Sequence, residues 1–235
     1  MGEDNFKPAL LVVDFQEDFC PPNGSLAVPD GRAIAPVVNS LLKLPFATKI
    51  ATKDWHPASH VSFATNHPGA SPFLSTTTIA NPHNSAEKLE SRLWPAHCVQ
   101  DTPGAALIPE LEADLLDAVV AKGTRPDIEM YSAFYGPFED PGRVADSGLA
   151  ERLRGAGVTD VFVVGLAGDY CVKCSAIDAA AEGFRTVVVE EGTRCVDPAA
   201  WDRVKAELAV AGVQVVRFEG PEVERLRIAL AVGYI

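Results

Sequence analysis

The sequence predicts an α/β fold, a three-layer α/β/α sandwich around a mainly parallel six-stranded sheet. Short continuous apolar runs, the mark of strands buried on both faces, recur along the 235 residues. Segments with apolar residues at helical spacing alternate with them, and strands alternating with helices make βαβ units. With 47% hydrophobic residues and no break in composition, the chain reads as one domain over 1–235.

Taken in order, residues 9–13 (Ala-Leu-Leu-Val-Val) form the first strand, closed by Asp14. A Pro/Gly/Asn turn region follows, then a helix over 33–44 and a second strand over 49–53 that ends at Asp54. From about 55 to 102 the periodicity fails, yet this stretch holds all five histidines of the chain. Long loops inside compact domains are usually functional or disordered, and the clustering of the histidines favours function, a lid or a metal-binding segment. Regular structure resumes with a helix over 105–116 and a strand over 117–122 ending in Lys122, followed by a turn-rich segment and a helix over 144–155. Residues 161–166 give a buried strand, and the alanine-rich stretch from Cys171 to a glycine stop at Gly183 gives a helix. Strands over 186–190 and 213–218, a helix over 198–211 between them and a last helix from 221 complete the pattern.

The bulk numbers exclude several classes. A net charge of −12 argues against nucleic acid and anionic membrane surfaces as partners, because both need a basic face. No apolar run approaches the roughly 20 residues that span a bilayer. The polar start Met-Gly-Glu-Asp lacks a signal peptide's apolar core, the C-terminus Val-Gly-Tyr-Ile matches no retention or peroxisomal address, and the five cysteines form no small-scaffold framework. These features predict a cytoplasmic, intracellular protein. A small-molecule substrate is the expected partner, and a homo-oligomer is compatible with the sequence.

In parallel sheets ligands bind outside the carboxyl ends of the strands, and Asp14, Asp54, Lys122 and Cys171 all stand at such ends. Cys171 opens a helix, where the unpaired N–H groups favour thiolate. As a nucleophile it has Asp14 as base and Lys122 as neighbouring cation; equally, Asp14 and Lys122 read as a structural ion pair. Cys171-Val-Lys-Cys174 also has the C-x-x-C spacing of thiol redox proteins. Asp54-Trp-His56 offers two metal ligands two residues apart, and His97 a third. This carboxylate and imidazole set suits one divalent ion, Zn²⁺ first, with Fe²⁺ or Mn²⁺ as alternatives. The bland reading is a set of solvated loop histidines.

With these residues located, the sequence resembles the isochorismatase-like cysteine hydrolases and, within them, the nicotinamidase/pyrazinamidase family. The resemblance runs from residue 9 to about 197. It is carried by Val12-Val-Asp-Phe-Gln-Glu-Asp-Phe19, Thr52-Lys-Asp-Trp-His-Pro-Ala-Ser-His-Val-Ser-Phe63, Trp94-Pro-Ala-His-Cys98, Lys122-Gly with Tyr131-Ser-Ala-Phe134, and Gly165-Leu-Ala-Gly-Asp-Tyr-Cys-Val172. The surroundings of Asp54 and the long loop to His97 look most like the fungal enzymes. The resemblance implies the isochorismatase-like hydrolase fold and hydrolysis of nicotinamide, with pyrazinamide as a second substrate, through a cysteine thioester in NAD salvage. It implies Asp14, Lys122 and Cys171 as catalytic triad, the amides of Ala167 and Cys171 as oxyanion hole, and Asp54, His56 and His97 as metal ligands. Some relatives add a histidine near His60, whereas the fungal-like pattern leaves it outside. Phe15, Trp94, Tyr131 and Tyr170 are the candidates for an aromatic box around the substrate ring. The family pattern also predicts a cis peptide at Leu166–Ala167, and Gly168, where relatives often carry Thr, predicts a looser oxyanion loop.

Overall fold

A computed structural model describes residues 5–232. Met1 to Asp4 and residues 233–235, and with them most of the two terminal readings above, lie outside the described residues. Six strands form one sheet: β1 (Pro8–Val13), β2 (Thr48–Asp54), β5 (Ala118–Lys122), β6 (Asp160–Leu166), β7 (Arg185–Arg194) and β8 (Gln214–Val216). Their order is β5-β2-β1-β6-β7-β8, and every adjacent pair is parallel. The expected mainly parallel sheet is therefore wholly parallel. The chain direction across the sheet reverses between β1 and β6, where ligands gather outside the carboxyl ends of parallel strands.

Residues alternate between the two faces of each strand, which divides the core in two. Leu10, Val12, Phe162 and Val164 pack with α1 (Ala35–Leu42) and α5 (Pro221–Val232) through Val38, Leu41, Leu42, Val223 and Leu226. Ala9, Leu11, Val13, Val161 and Val163 face α2 (Leu149–Gly155), α3 (Lys173–Ala181) and α4 (Trp201–Val210) through Leu149, Leu153, Ala176, Val204 and Leu208. Each fully buried aliphatic side chain contributes roughly 1.5–3 kcal/mol, which is why the central strands read as unbroken apolar runs. None of the helices among the described residues is long and apolar enough to cross a membrane.

Three expectations fail here. The helix expected over 105–116 is replaced by two short 3-10 turns, Pro103–Ala105 and Ala113–Leu115. Pro109 lies between them and has no N–H to give a helix. The helix expected over 144–155 shrinks to α2, which starts after Gly148, in left-handed conformation at φ 74°. The 55–102 stretch contains a hairpin, β3 (Thr76–Asn81) against β4 (Asn84–Arg92). Most of its side chains are exposed or half-buried, so no apolar period marked it in the sequence.

Candidate active and metal site

At the carboxyl end of β1, Asp14 takes a left-handed φ of 50° and turns the chain out of the sheet. Its Oδ1 accepts from Thr52 Oγ1 at 2.7 Å, and its Oδ2 lies 2.9 Å from Lys122 Nζ in a contact whose angle is not that of a hydrogen bond. Lys122, at the end of β5, also donates to Asp54 Oδ1 at 2.5 Å, to the Met130 carbonyl at 3.2 Å and to Cys171 Sγ at 3.6 Å. Asp14, Asp54, Lys122 and Cys171, drawn from four strand ends, thus meet around one ammonium group, and none is more than 4% exposed. Gly165 allows the close approach behind them: a Cβ there would lie 2.0 Å from the Val13 carbonyl oxygen.

Electrostatics follow from this dry cluster. Burial pulls the Lys122 pKa down, but Asp14 and Asp54 outweigh it and hold the ammonium charged. Burial pushes Asp54 up, and Lys122 and His56 more than reverse it, so Asp54 stays ionised below the usual carboxylate range. For Asp14 burial wins, with the Asp54 charge adding to it, over the opposing Lys122 and Thr52, so its pKa is raised. Burial likewise pushes the Cys171 thiol well above its ordinary value against the pull of Lys122. One expectation is corrected: the helix start does not make Cys171 a thiolate, so the thiol needs the base expected in Asp14. A helix N-terminus signals thiolate in the sequence, but Cys171 sits in a wide π-helical turn (Gly168–Val172) before α3 and is fully enclosed.

The second oxygen of Asp54 faces two imidazoles, with Oδ2 at 3.4 Å from His56 Nε2 and 3.9 Å from His97 Nε2. His56 Nδ1 lies 2.8 Å from the Gly123 carbonyl and His97 Nδ1 2.8 Å from the Pro95 carbonyl. A carbonyl can only accept, so both Nδ1 atoms carry a proton and both Nε2 atoms face the shared space; against burial, Asp54 raises the His56 pKa, so ligation there would displace the second proton. His56 Nε2 is buried there without a hydrogen-bond partner. An orphaned imidazole nitrogen, a second one and a carboxylate oxygen lie within 4.8 Å of one another, a donor set that suits a divalent first-row metal ion. Gly123, at φ 62°, is part of the cradle, since a Cβ there would stand 2.3 Å from His56 Cε1.

The other histidines separate from this group. His60 lies against His56 with ring centroids 4.1 Å apart and planes tilted by 38°, but its Nε2 donates to the Ile128 carbonyl and its Nδ1 meets Ser62, so neither nitrogen is available. Burial, with the nearby His56, lowers its pKa to about 3. His67 Nε2 bonds the Val61 carbonyl, and His83 lies at the hairpin turn.

A narrow cavity beside Cys171 is lined by Asp54, His97, Glu129, Ala167 and an aromatic wall of Phe19, Trp94, Tyr131 and Tyr170. Trp94 Nε1 donates to Tyr131 Oη at 3.0 Å, and Trp94 and Tyr170 meet edge to face at 4.9 Å. Phe15 is not among the lining residues. It is wholly buried, and its ring packs in the core with Leu10 and Val12. Glu129, buried and with a raised pKa from that burial, was not singled out by the sequence, where it stands in a turn-rich segment without pattern.

The expected cis bond at Leu166–Ala167 is also absent; the cis bonds of the described residues are at Pro21–Pro22 and Asp140–Pro141. The reversal is made instead by Ala167 in left-handed conformation (φ 56°), its carbonyl accepting from the amides of Tyr170 and Val172. That geometry costs less than a non-proline cis bond. At Gly168 a Cβ would lie 2.9 Å from both Cys195 Sγ and Thr193 Cγ2, so neighbouring side chains occupy the space that a side chain there would need.

Comparison with known proteins places these residues in context. An isochorismatase domain model matches residues 8–219. The nicotinamidase of Escherichia coli (strain K12) is 38% identical over 209 residues, covering 87% of this chain and 92% of that one. The yeast nicotinamidase bound to the inhibitor nicotinaldehyde superposes with a TM-score of 0.83 at 34% identity, over 89% of this chain and 99% of that one. A pyrazinamidase of Pyrococcus horikoshii in complex with zinc gives a TM-score of 0.69, also at 34% identity, over 90% of this chain and 99% of that one. These relatives are named as amide hydrolases, and nothing among them supports the thiol redox reading of Cys171 and Cys174.

Proposed function

The chain belongs to the isochorismatase family, in its nicotinamidase/pyrazinamidase branch of amide hydrolases, and on that premise we propose that it cleaves nicotinamide to nicotinate and ammonia through a thioester on Cys171. One observation carries the reading: a single buried ammonium, Lys122 Nζ, lies within 2.9 Å of both carboxylates and 3.6 Å from a buried thiol.

Asp14 takes the Cys171 proton as the sulfur attacks the carboxamide carbon. Its raised pKa supports this role, since a base nearer the thiol in pKa meets less resistance to the transfer. Lys122 balances the negative charge that moves between Asp14, sulfur and oxygen, and the amides of Ala167 and Cys171 hold the tetrahedral oxyanion. Asp14 then returns its proton to the departing ammonia; in the second half Asp14 takes one proton of the attacking water, the Cys171 thiolate leaves the acyl carbon and takes that proton back from Asp14, and the acid gives its own proton to solvent as nicotinate. Trp94, Tyr131 and Tyr170 enclose the ring.

Asp54, His56 and His97 would hold a divalent metal ion, Zn²⁺ by the chemistry of the donors. When bound it supplies a Lewis-acidic site for the pyridine nitrogen. The inward-facing Nε2 atoms of both imidazoles, that of His56 without a hydrogen-bond partner, support that assignment.

The test is ammonia release from nicotinamide, pyrazinamide and an aliphatic amide, before and after chelation and after zinc is restored. Turnover of the two heteroaromatic amides that is lost on chelation and regained with zinc is the expected result. No turnover of any of them, or turnover indifferent to metal removal, would remove the substrate or the metal assignment respectively.

A further inference from the structure

We infer that Gln16 is a positioning residue that stands in for a missing strand beside Asp54 and thereby sets the carboxylate shared by the two halves of the site. β1 pairs with β2 only as far as Val12 opposite Ala51, and the turn at Asp14 then carries β1 away. Asp54, three residues beyond Ala51, still pairs with Lys122 of β5 on its other side. Its own N–H and C=O therefore point towards an edge that β1 has left, and buried peptide groups without partners are costly.

The Gln16 side chain fills that place. Its Oε1 accepts from Asp54 N at 2.8 Å and its Nε2 donates to Asp54 O at 2.8 Å, the reciprocal pair that a neighbouring strand would offer. The second hydrogen of Nε2 goes to the Ala105 carbonyl at 3.0 Å. Three bonds from one amide, two to acceptors and one from a donor, admit only one orientation of the group. Gln16 is wholly buried, does not line the cavity and touches no reacting atom. It acts through Asp54, whose Oδ1 holds Lys122 and whose Oδ2 faces His56 and His97. A side-chain amide thus holds in register both the metal ligands and the ammonium beside the thiol.

The inference rests on the proposed metal role of Asp54, and its test separates the two. Zinc affinity of the metal-free protein is measured by chelator competition, with thermal unfolding in parallel, for wild type, Asp54→Ala, Gln16→Met, Gln16→Glu and Asp160→Asn. Gln16→Met should weaken zinc binding about 10- to 100-fold, as for other residues that orient metal ligands. Gln16→Glu keeps the size and the acceptor while losing the donor, and should also weaken it, which keeps the test decisive where the methionine variant does not fold. Asp160→Asn disturbs the ion pair between the buried Asp160 and the exposed Arg185 at the opposite end of the sheet. It should lower the unfolding temperature and leave zinc affinity unchanged, the signature of a merely structural role. Wild-type zinc affinity in a folded Gln16 variant, with Asp54→Ala impaired, overturns the inference alone. Equal affinity of wild type and Asp54→Ala overturns the metal assignment beneath it.

Discussion

Replacing Gly123 by alanine sets a methyl group 2.3 Å from Cε1 and 2.6 Å from Nδ1 of His56, well inside contact distance. Two costs follow from the geometry. Alanine at a φ of 62° carries the left-handed penalty of about 1–2 kcal/mol, and the Nδ1–H bond to the Gly123 carbonyl, worth about 0.5–1.5 kcal/mol, breaks when the ring is pushed away. Together they predict a loss of about 1.5–3.5 kcal/mol, with some overlap because one backbone shift relieves both. Displacing the ring also turns Nε2 away from Asp54, so zinc affinity should fall about 10- to 100-fold. Urea unfolding of the metal-free protein reads the first effect, and chelator competition the second. A Gly123→Ala variant with wild-type values for both would refute the claim that this glycine exists to seat His56.

Further expectations follow from the same cluster. Lys122→Met leaves two buried carboxylates without their cation and should cost about 3–5 kcal/mol in urea unfolding at pH 7, with turnover abolished. Without the ammonium the folded-state pKa values of Asp14 and Asp54 rise, so stability is recovered as pH falls and lost as it rises; an equal penalty at pH 5 and pH 7 would contradict this. In the intact enzyme Asp14 must be ionised to accept a proton and its pKa is raised by burial, so kcat/KM should fall with acidification through a midpoint above the ordinary 3.8. An acid limb at or below that value would count against Asp14 as base. Gly168→Ala should cost about 1–3 kcal/mol by overpacking against Cys195, and Cys195→Ala should recover part of it; strictly additive unfolding midpoints across that double-mutant cycle would show the two do not touch.

The groups most legible in the sequence are those at strand ends. A short strand-like segment closed by Asp14, Asp54 or Lys122 announces both the strand and the residue at its tip, and the parallel sheet brings the tips together. His56 and His97 were legible because one stretch holds every histidine, although His60 shows that membership of the stretch does not make a ligand. What escaped depends on contacts between residues far apart in sequence. Gln16 meets Asp54 across 38 positions and Gly123 seats His56 across 67, and neither has a local period to reveal it. The proton on Cys171 escaped for a related reason: the helix start is local, whereas the burial that outweighs it comes from the whole fold. The hairpin β3–β4 was hidden because its alternating faces are both largely polar.

A thioester mechanism requires that the Cys171 sulfur carry the acyl group. The direct measurement is mass spectrometry of enzyme acid-quenched while turning over nicotinamide and then digested. A nicotinoyl adduct is expected on the peptide containing Cys171, absent from Cys171→Ala and still present in Cys174→Ser. Turnover of nicotinamide by Cys171→Ala, or an adduct carried by any other residue, would contradict it.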